Sequence, residues 1–127
     1  MTGYELYITA LDLLGLRENE YNLPSDTADL KAKALSVINI ILAENSELDC
    51  RIKKVEHSVT TISSLDDRID MSDVLLYSVL PYGVARLMSL GEDDQLSAEL
   101  NRLYSEAKAK AIRFGKAKIQ PITEVYR

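Results

Sequence analysis

Four stretches of the chain repeat apolar residues at spacings of three and four, and this periodicity restricts the fold more than any other feature. Such spacing places the apolar side chains along one side of an α-helix. The stretches cover about residues 3–14, 26–45, 72–90 and 93–114. With 127 residues, 46% of them hydrophobic, the chain is long enough to bury one core. We therefore predict a mainly α protein, a small bundle of about four helices, with residues 1–115 as its helical domain.

The predicted helix ends follow from residues with known preferences for those positions. Gly15, Gly91 and Gly115 each follow an apolar stretch, where a left-handed residue commonly ends a helix. Ser25 or Asp26 can cap the second helix. We expect the first helix to turn one stripe toward the core, formed by Tyr4, Tyr7, Ile8, Leu11 and Leu14.

Pro81 lies in the middle of the third stretch, which has almost no polar face and is predicted to be the most buried helix. A proline has no backbone N–H, so the carbonyl of Tyr77 loses its usual partner. We therefore predict that the third helix is kinked or split near Pro81.

The middle of the chain changes its pattern. Ile52, Val55, Val59 and Ile62 are β-branched, and the residues that follow Ile62 favour turns. We predict a short extended or β insertion at about residues 50–66. An isolated pair of strands is marginally stable in water, so this insertion needs a helix or another subunit to cover it.

The C-terminal segment differs from the rest of the chain in charge. Residues 107–127 hold six Lys and Arg residues against Glu124 alone, a net +5. Since the whole chain carries −5, residues 1–106 carry −10. A basic end on an acidic body indicates contact with an acidic surface or phosphate. The alternative is the ordinary preference of basic residues for the end of a helix, which accounts for the charges only as far as Arg113.

Residues 116–127 are predicted to form a separate, extended tail. Pro121 fixes its own backbone and disfavours helix at Gln120. Extended segments with apolar side chains dock by strand addition or along a groove. The candidate partner-binding residues are Arg113, Lys116, Lys118, Ile119, Ile122, Val125, Tyr126 and Arg127.

The sequence offers little material for catalysis or metal binding. Cys50 and His57 are the lone residues of their types, and neither has a recognisable nucleophile or base beside it. The acidic group Asp66, Asp67, Asp70 and Asp73 lacks the glycine and glutamate of a calcium loop, so turn and capping roles are favoured. We predict a protein that is not an enzyme and that uses no cofactor or metal. No apolar run is long enough to span a membrane.

Three stretches in their order resemble the bacteriophage head–tail connector proteins, also called adaptor or head-completion proteins. They are ALDLLGL (residues 10–16), LKAKALSVINIILAE (residues 30–44) and residues 65–111, in which LPYGVA (residues 80–85), GEDD (residues 91–94) and Tyr104 are the most characteristic. The resemblance implies a small helical core and assembly into a homo-oligomeric ring below the portal. It also implies contact with portal and tail-side connector proteins, around a channel through which DNA passes without specific binding.

For this chain the resemblance implies a structural protein of a phage or prophage virion, located at the head–tail joint and in the host cytoplasm during assembly. It further implies that the tail reaches onto a neighbouring component. The alternative hypothesis is a small bacterial helical interaction or regulatory module. Such a module would use its basic C-terminal tail to bind a protein or nucleic-acid partner.

Overall fold

The computed structural model describes the backbone of residues 1–15, 27–90 and 93–119, and the side chains of 1–15, 32–90 and 93–113. Within these ranges the chain forms five helices: α1 (Gly3–Leu14), α2 (Thr27–Lys53), α3 (Asp73–Ser78), α4 (Leu80–Ser89) and α5 (Asp94–Ile119). The mainly helical fold predicted from the sequence is confirmed. The described helices include none that is both long and apolar enough to cross a membrane.

Helix α1 has the predicted bounds and a hydrogen-bonded cap at each end. The Thr2 hydroxyl accepts from the Glu5 N–H at 3.1 Å, and the Glu5 carboxylate accepts from the Thr2 N–H at 2.9 Å. This reciprocal pair satisfies two of the free N–H groups at the start of the helix. At the other end Gly15 takes the left-handed conformation, with φ +69°, as predicted.

The buried face of α1 is rotated from the one expected. Tyr7 and Leu11 are buried as predicted, but Tyr4 is 39% exposed, and Leu6 and Ala10 are fully buried in its place. Both rows have helical spacing. The choice between them depends on where α4 lies, which the local sequence does not specify.

Helix α2 continues past Asn45, where it was predicted to end, and reaches Lys53. The added turns are held by burial, because Leu48 and Ile52 pack into the core. Burial outweighs the β preference of Ile52. Lys54, with φ +61°, then ends the helix, so the non-helical insertion begins after residue 53 and not at residue 50.

The insertion contains no β-strand within the described residues. Its backbone does form hydrogen bonds with residues 1–4. Tyr4 N–H donates to the Leu65 carbonyl at 2.8 Å, and Ile69 N–H donates to the Met1 carbonyl at 2.9 Å. An isolated antiparallel bridge joins Thr2 to Arg68. These contacts hold the start of α1 against the second half of the insertion.

The third predicted helix is split in two, as the position of Pro81 indicated. Helix α3 ends at Ser78 and α4 begins at Leu80, with Pro81 in its first turn. Val79 lies between them and donates its N–H to the Leu75 carbonyl at 3.1 Å. Helix α4 is the centre of the fold and contacts the other four helices.

Replacing Pro81 with alanine is expected to join α3 and α4 into a straighter helix. The alanine supplies an N–H group that can donate to the Tyr77 carbonyl, and alanine has the highest helix propensity. A structure of the Pro81→Ala variant measures the result directly. A break at Val79 that persists in the variant would show that packing, and not the proline, separates the two helices.

Helix α5 begins as predicted but ends later. The Asp93 carboxylate accepts from the Leu96 N–H at 3.0 Å and caps the helix. The helix passes through Gly115 and reaches Ile119, so the prediction that it closes at Gly115 and that the tail is extended from residue 116 is wrong for 116–119. Interior glycine costs a helix only about 1 kcal/mol, and Lys and Ala on either side favour helix. Residues 120–127 and Gly91 lie outside the described residues.

Candidate protein-binding surfaces

The described residues include four of the eight predicted partner-binding residues, all near the end of α5. Arg113 is exposed on α5, and the backbone of Lys116, Lys118 and Ile119 belongs to the last turns of that helix. The other four residues of the predicted set, Ile122, Val125, Tyr126 and Arg127, lie outside the described residues. Docking by the tail therefore stays a prediction.

A groove of about 420 Å³ runs between the α3–α4 break and α5. Its lining includes Val74, Tyr77, Tyr82, Leu103, Ala107 and Lys110, and it is called the α3–α5 groove below. Tyr77 was predicted to lie in the most buried helix, yet it is 61% exposed. The split at Val79 is the physical reason, because a short α3 does not keep the same face toward the core as α4. The groove thus presents tyrosine and aliphatic side chains at the surface.

Tyr104 of α5 lies beside this groove, bonds α2 through its hydroxyl and contacts α4 through its ring. Its hydroxyl donates to the Glu44 carboxylate at 2.7 Å and accepts from the Asn45 amide at 3.0 Å. The Arg86 guanidinium lies 5.5 Å and the Lys108 ammonium 5.6 Å from the centre of its ring. Tyr104 is only 6% exposed and was not among the predicted core residues, although it lies four residues after Leu100 on the same helix face.

Burial, and then the hydrogen bond to Glu44, raise the pKa of Tyr104 to about 12. Both favour the neutral phenol, since the ionised form would be poorly hydrated and would face a carboxylate. In the unfolded chain a tyrosine titrates at about pH 10. The folded state therefore holds the Tyr104 proton more tightly than the unfolded state does.

A pH-dependent loss of stability follows from that difference. The contribution of Tyr104 is fully present below about pH 10 and is lost as the pH rises toward about 12, by at most about 3 kcal/mol. In denaturant unfolding measured between pH 10 and about pH 12, Tyr104→Phe is expected to remove this part of the fall in the free energy of unfolding. Tyr77→Phe, at an exposed position, is the matched control, and its free energy of unfolding should fall with pH as that of wild type does. Equal declines in both variants would contradict the assignment.

Asp49 is a second buried polar group, and it holds the start of α3. The residue is 1% exposed, and its carboxylate accepts from the Ser72 N–H at 2.7 Å. The Lys53 ammonium lies 2.9 Å from the same carboxylate and also bonds Asp70. Burial pulls the pKa of Lys53 down, but the bonds to Asp49 and Asp70 outweigh it and hold that pKa above its usual value. These contacts join α2 to α3 and have a structural role.

The acidic residues of the insertion also have structural roles. The Asp67 carboxylate accepts from the N–H groups of Ser63 and Ser64 at 2.9 and 3.1 Å, which confirms the turn predicted there. In the described part of the chain, no three His, Cys, Asp or Glu side chains converge as they would around a metal ion.

Residues 55–62, called the edge segment below, run back along α2. At the start of the segment the Val55 N–H donates to the Cys50 carbonyl at 3.0 Å, and three side chains of α2 hold the rest of its backbone. Ser46 accepts from the Thr60 N–H at 3.1 Å, Asn39 exchanges two hydrogen bonds with Ile62, and the Cys50 thiol donates to the Ser58 carbonyl at 3.6 Å. Ile62 is buried, whereas the side chains of residues 55–59 face solvent.

The spacing of these contacts shows that the edge segment is extended. Asn39 and Cys50 lie about 16 Å apart along the axis of an α-helix. The residues that they hold, Ile62 and Ser58, are separated by four residues of chain, which reach about 13 Å when fully extended. Only an extended backbone, with side chains closing the remaining gap, can satisfy both ends.

Comparison with protein-family models, with curated proteins and with solved structures finds no match. A function for this chain therefore has to be argued from its own surfaces. Two are suited to protein contact: the α3–α5 groove and the edge segment. They differ in kind, because the groove offers tyrosine, aliphatic and charged side chains, Glu106 and Lys110 among them, and the edge segment offers backbone groups.

Proposed function

We propose that the chain is a structural connector of a bacteriophage head–tail joint, assembling as a ring below the portal and linking capsid to tail around the DNA channel. The observation that carries the proposal is that two of the three most characteristic parts of the resemblance, LPYGVA and Tyr104, meet at the centre of the fold. Pro81 lies in the first turn of α4, and Gly83 packs its backbone against the Tyr104 ring. The stretch LPYGVA and Tyr104 are thus parts of one packing unit, and a shared pattern at those positions has a structural cause.

The α3–α5 groove supplies a surface suited to the contact between ring neighbours. A ring closes when each copy presents one surface to a different surface of the next copy. Tyrosine and aliphatic residues are favoured at the buried centres of such interfaces, because they remove a large area from water while keeping a polar group for hydrogen bonding. Tyr77, Tyr82 and Leu103 give the groove this character.

The charge of the chain supports a channel that passes DNA without holding it. Residues 1–106 carry a net −10, so most of the body repels phosphate. Bound phosphates would slow the passage of DNA, and an acidic lining avoids them. The basic end of the chain, from residue 107 onward, is then the part suited to an acidic partner surface.

Gene order and reconstitution together test the proposal. A connector gene is expected beside genes for a portal, a capsid protein and tail proteins. The full chain, mixed with the portal encoded in the same cluster, should add a ring of density below the portal in electron micrographs. Tyr77→Asp should abolish that ring, whereas Ser105→Asp, on an exposed face of α5, is the matched control. A chain that binds DNA or a host protein, with no portal gene nearby, would favour the regulatory module.

Removing residues 120–127 separates folding from attachment. The truncated chain keeps all five helices, so its circular dichroism and melting temperature should match those of the full chain. If the tail docks on the portal, as the apolar residues Ile122, Val125 and Tyr126 predict, binding falls by at least tenfold, since burying two such side chains gives about 3 kcal/mol or more before ordering costs. Unchanged binding would place the docking surface elsewhere, and loss of folding would make the tail part of the core.

A further inference from the structure

The edge segment has one occupied edge and one free edge. In an extended chain the backbone N–H and C=O groups of alternate residues point to opposite sides. Those of Ser58, Thr60 and Ile62 point to α2, where Cys50, Ser46 and Asn39 bond them. The backbone groups of the alternate residues, His57, Val59 and Thr61, therefore point away from α2. None of these three makes a backbone hydrogen bond to any part of the chain that the structure describes.

Among the residues that the structure describes, the free edge lacks the features that protect the edge strands of natural proteins. Protected edges carry lysine, proline, a bulge or a covering loop. Residues 55–62 include no lysine and no proline, and Glu56 is their single carboxylate. Val55 and Val59 are each 56% exposed, and β-branched residues of this kind favour pairing with another strand. The edge is therefore open to strand addition.

We propose that the edge segment pairs in antiparallel fashion with the edge segment of a second copy, across a two-fold axis at Ser58. This contact goes beyond the connector proposal and does not depend on it. A two-fold contact between identical surfaces closes on itself, so it makes a dimer of the free chain and cannot by itself build a ring.

A second copy fits this edge in register and in charge. With the axis at Ser58, His57 of one copy lies opposite Val59 of the other, and Val55 lies opposite Thr61. The Val55 N–H already donates to the Cys50 carbonyl of its own chain at 3.0 Å, so at that pair only the Val55 carbonyl is free to accept from the Thr61 N–H. Glu56 lies opposite Thr60, so no two like charges face each other. A strongly charged strand would find no opposite charges along the free edge. A second copy of this weakly charged segment can pair with it without facing a like charge.

The attachment to α2 lowers the cost of pairing. Free two-stranded ribbons are marginal in water because both strands must be ordered when they meet. Here each strand is already extended and held along its other edge by Asn39, Ser46 and Cys50. Less conformational entropy is lost on association, which is the general advantage of a preorganised binding element.

Sedimentation velocity and amide exchange on the full chain test the proposal together. We expect a monomer–dimer equilibrium that shifts to dimer with concentration. On dimerisation the amides of His57, Val59 and Thr61 should become protected from exchange. The amides of Thr60 and Ile62 should be protected at every concentration, because they bond within the chain.

Val59→Pro is the decisive variant, and Val59→Thr is its matched control. Proline removes the Val59 N–H, and its ring occupies the space in which a second strand would lie. Its fixed φ is compatible with an extended chain, so the bonds to α2 should remain. We expect the proline variant to raise the dimer dissociation constant at least tenfold while melting like wild type. The threonine variant keeps the N–H and the branched shape, so it should dimerise normally.

Three results would overturn the proposal. The first is a chain that stays monomeric at every concentration, and the second is a dimer that Val59→Pro leaves intact. The third is protection of His57, Val59 and Thr61 that appears only when a portal or another protein is added, which would assign the edge to a different partner. Should Val59→Pro fail to fold, the concentration dependence of the wild-type amides decides the question alone.

Discussion

Gly83→Val is expected to lower the free energy of unfolding by about 3 kcal/mol, the upper end of the usual cost of overpacking a core. A Cβ atom at position 83 would lie 2.8 Å from Cε1 of Tyr104 and 3.2 Å from Cδ1 of Ile41. The isoleucine methyl can shift, but the tyrosine ring is fixed, because its hydroxyl bonds both Glu44 and Asn45. The added side chain must therefore push α4 away from α5.

Denaturant unfolding of Gly83→Val and of Ala98→Val measures that effect against a matched control. Ala98 is exposed on α5, so its replacement carries only the small helix-propensity cost of valine, about 0.5 kcal/mol. Gly83→Ala should fall between the two, because alanine brings the same Cβ contact but also the better helix propensity. Equal stabilities for the two valine variants would mean that α4 and α5 can separate freely at Gly83.

Asp49→Ala is expected to lower the free energy of unfolding by about 3 kcal/mol, because it removes the carboxylate that joins α2 to the start of α3. The Ser72 N–H would lose its 2.7 Å bond, and Lys53 would lose its buried partner. Because the Lys53 side chain is 30% exposed and keeps Asp70, the loss should lie at the lower end of the range for breaking a buried ion pair.

Asp70→Ala is the natural control for that variant. Asp70 pairs with the same lysine, but its side chain is 96% exposed, so its removal should change the free energy of unfolding by no more than about 0.5 kcal/mol. Asp49→Asn keeps an oxygen for the Ser72 N–H and should fall between the two alanine variants. Similar losses of unfolding free energy for Asp49→Ala and Asp70→Ala would show that the ion pair with Lys53, and not the bond to Ser72, supplies the stabilisation.

The features that the sequence predicted correctly are those set by a few neighbouring residues. Gly15 ends α1 through a left-handed backbone, as predicted. Pro81 splits a helix because it lacks an N–H group. Such effects need no knowledge of the rest of the fold, so they can be derived from a single sequence.

The features that the sequence did not reveal depend on contacts between distant parts of the chain. Helix α2 extends to Lys53 because Leu48 and Ile52 find a core to pack against. Tyr104 is buried because Glu44 and Asn45, some 60 positions earlier, bond its hydroxyl. The α3–α5 groove likewise arises from residues on three helices. Its tyrosines are visible in the sequence, but nothing local shows that Tyr77 is exposed and Tyr104 is not.

The attachment of the edge segment to α2 by side chains has a consequence for the order in which the protein opens. Ser46 and Cys50 can release residues 56–61 without breaking any backbone hydrogen bond of α2. These residues can therefore detach together while Ile62 and the five helices stay packed, whereas unfolding of α2 must release them as well. A protease that cuts within residues 55–59 would accordingly produce two fragments that remain associated, and the nicked protein would keep its helical core.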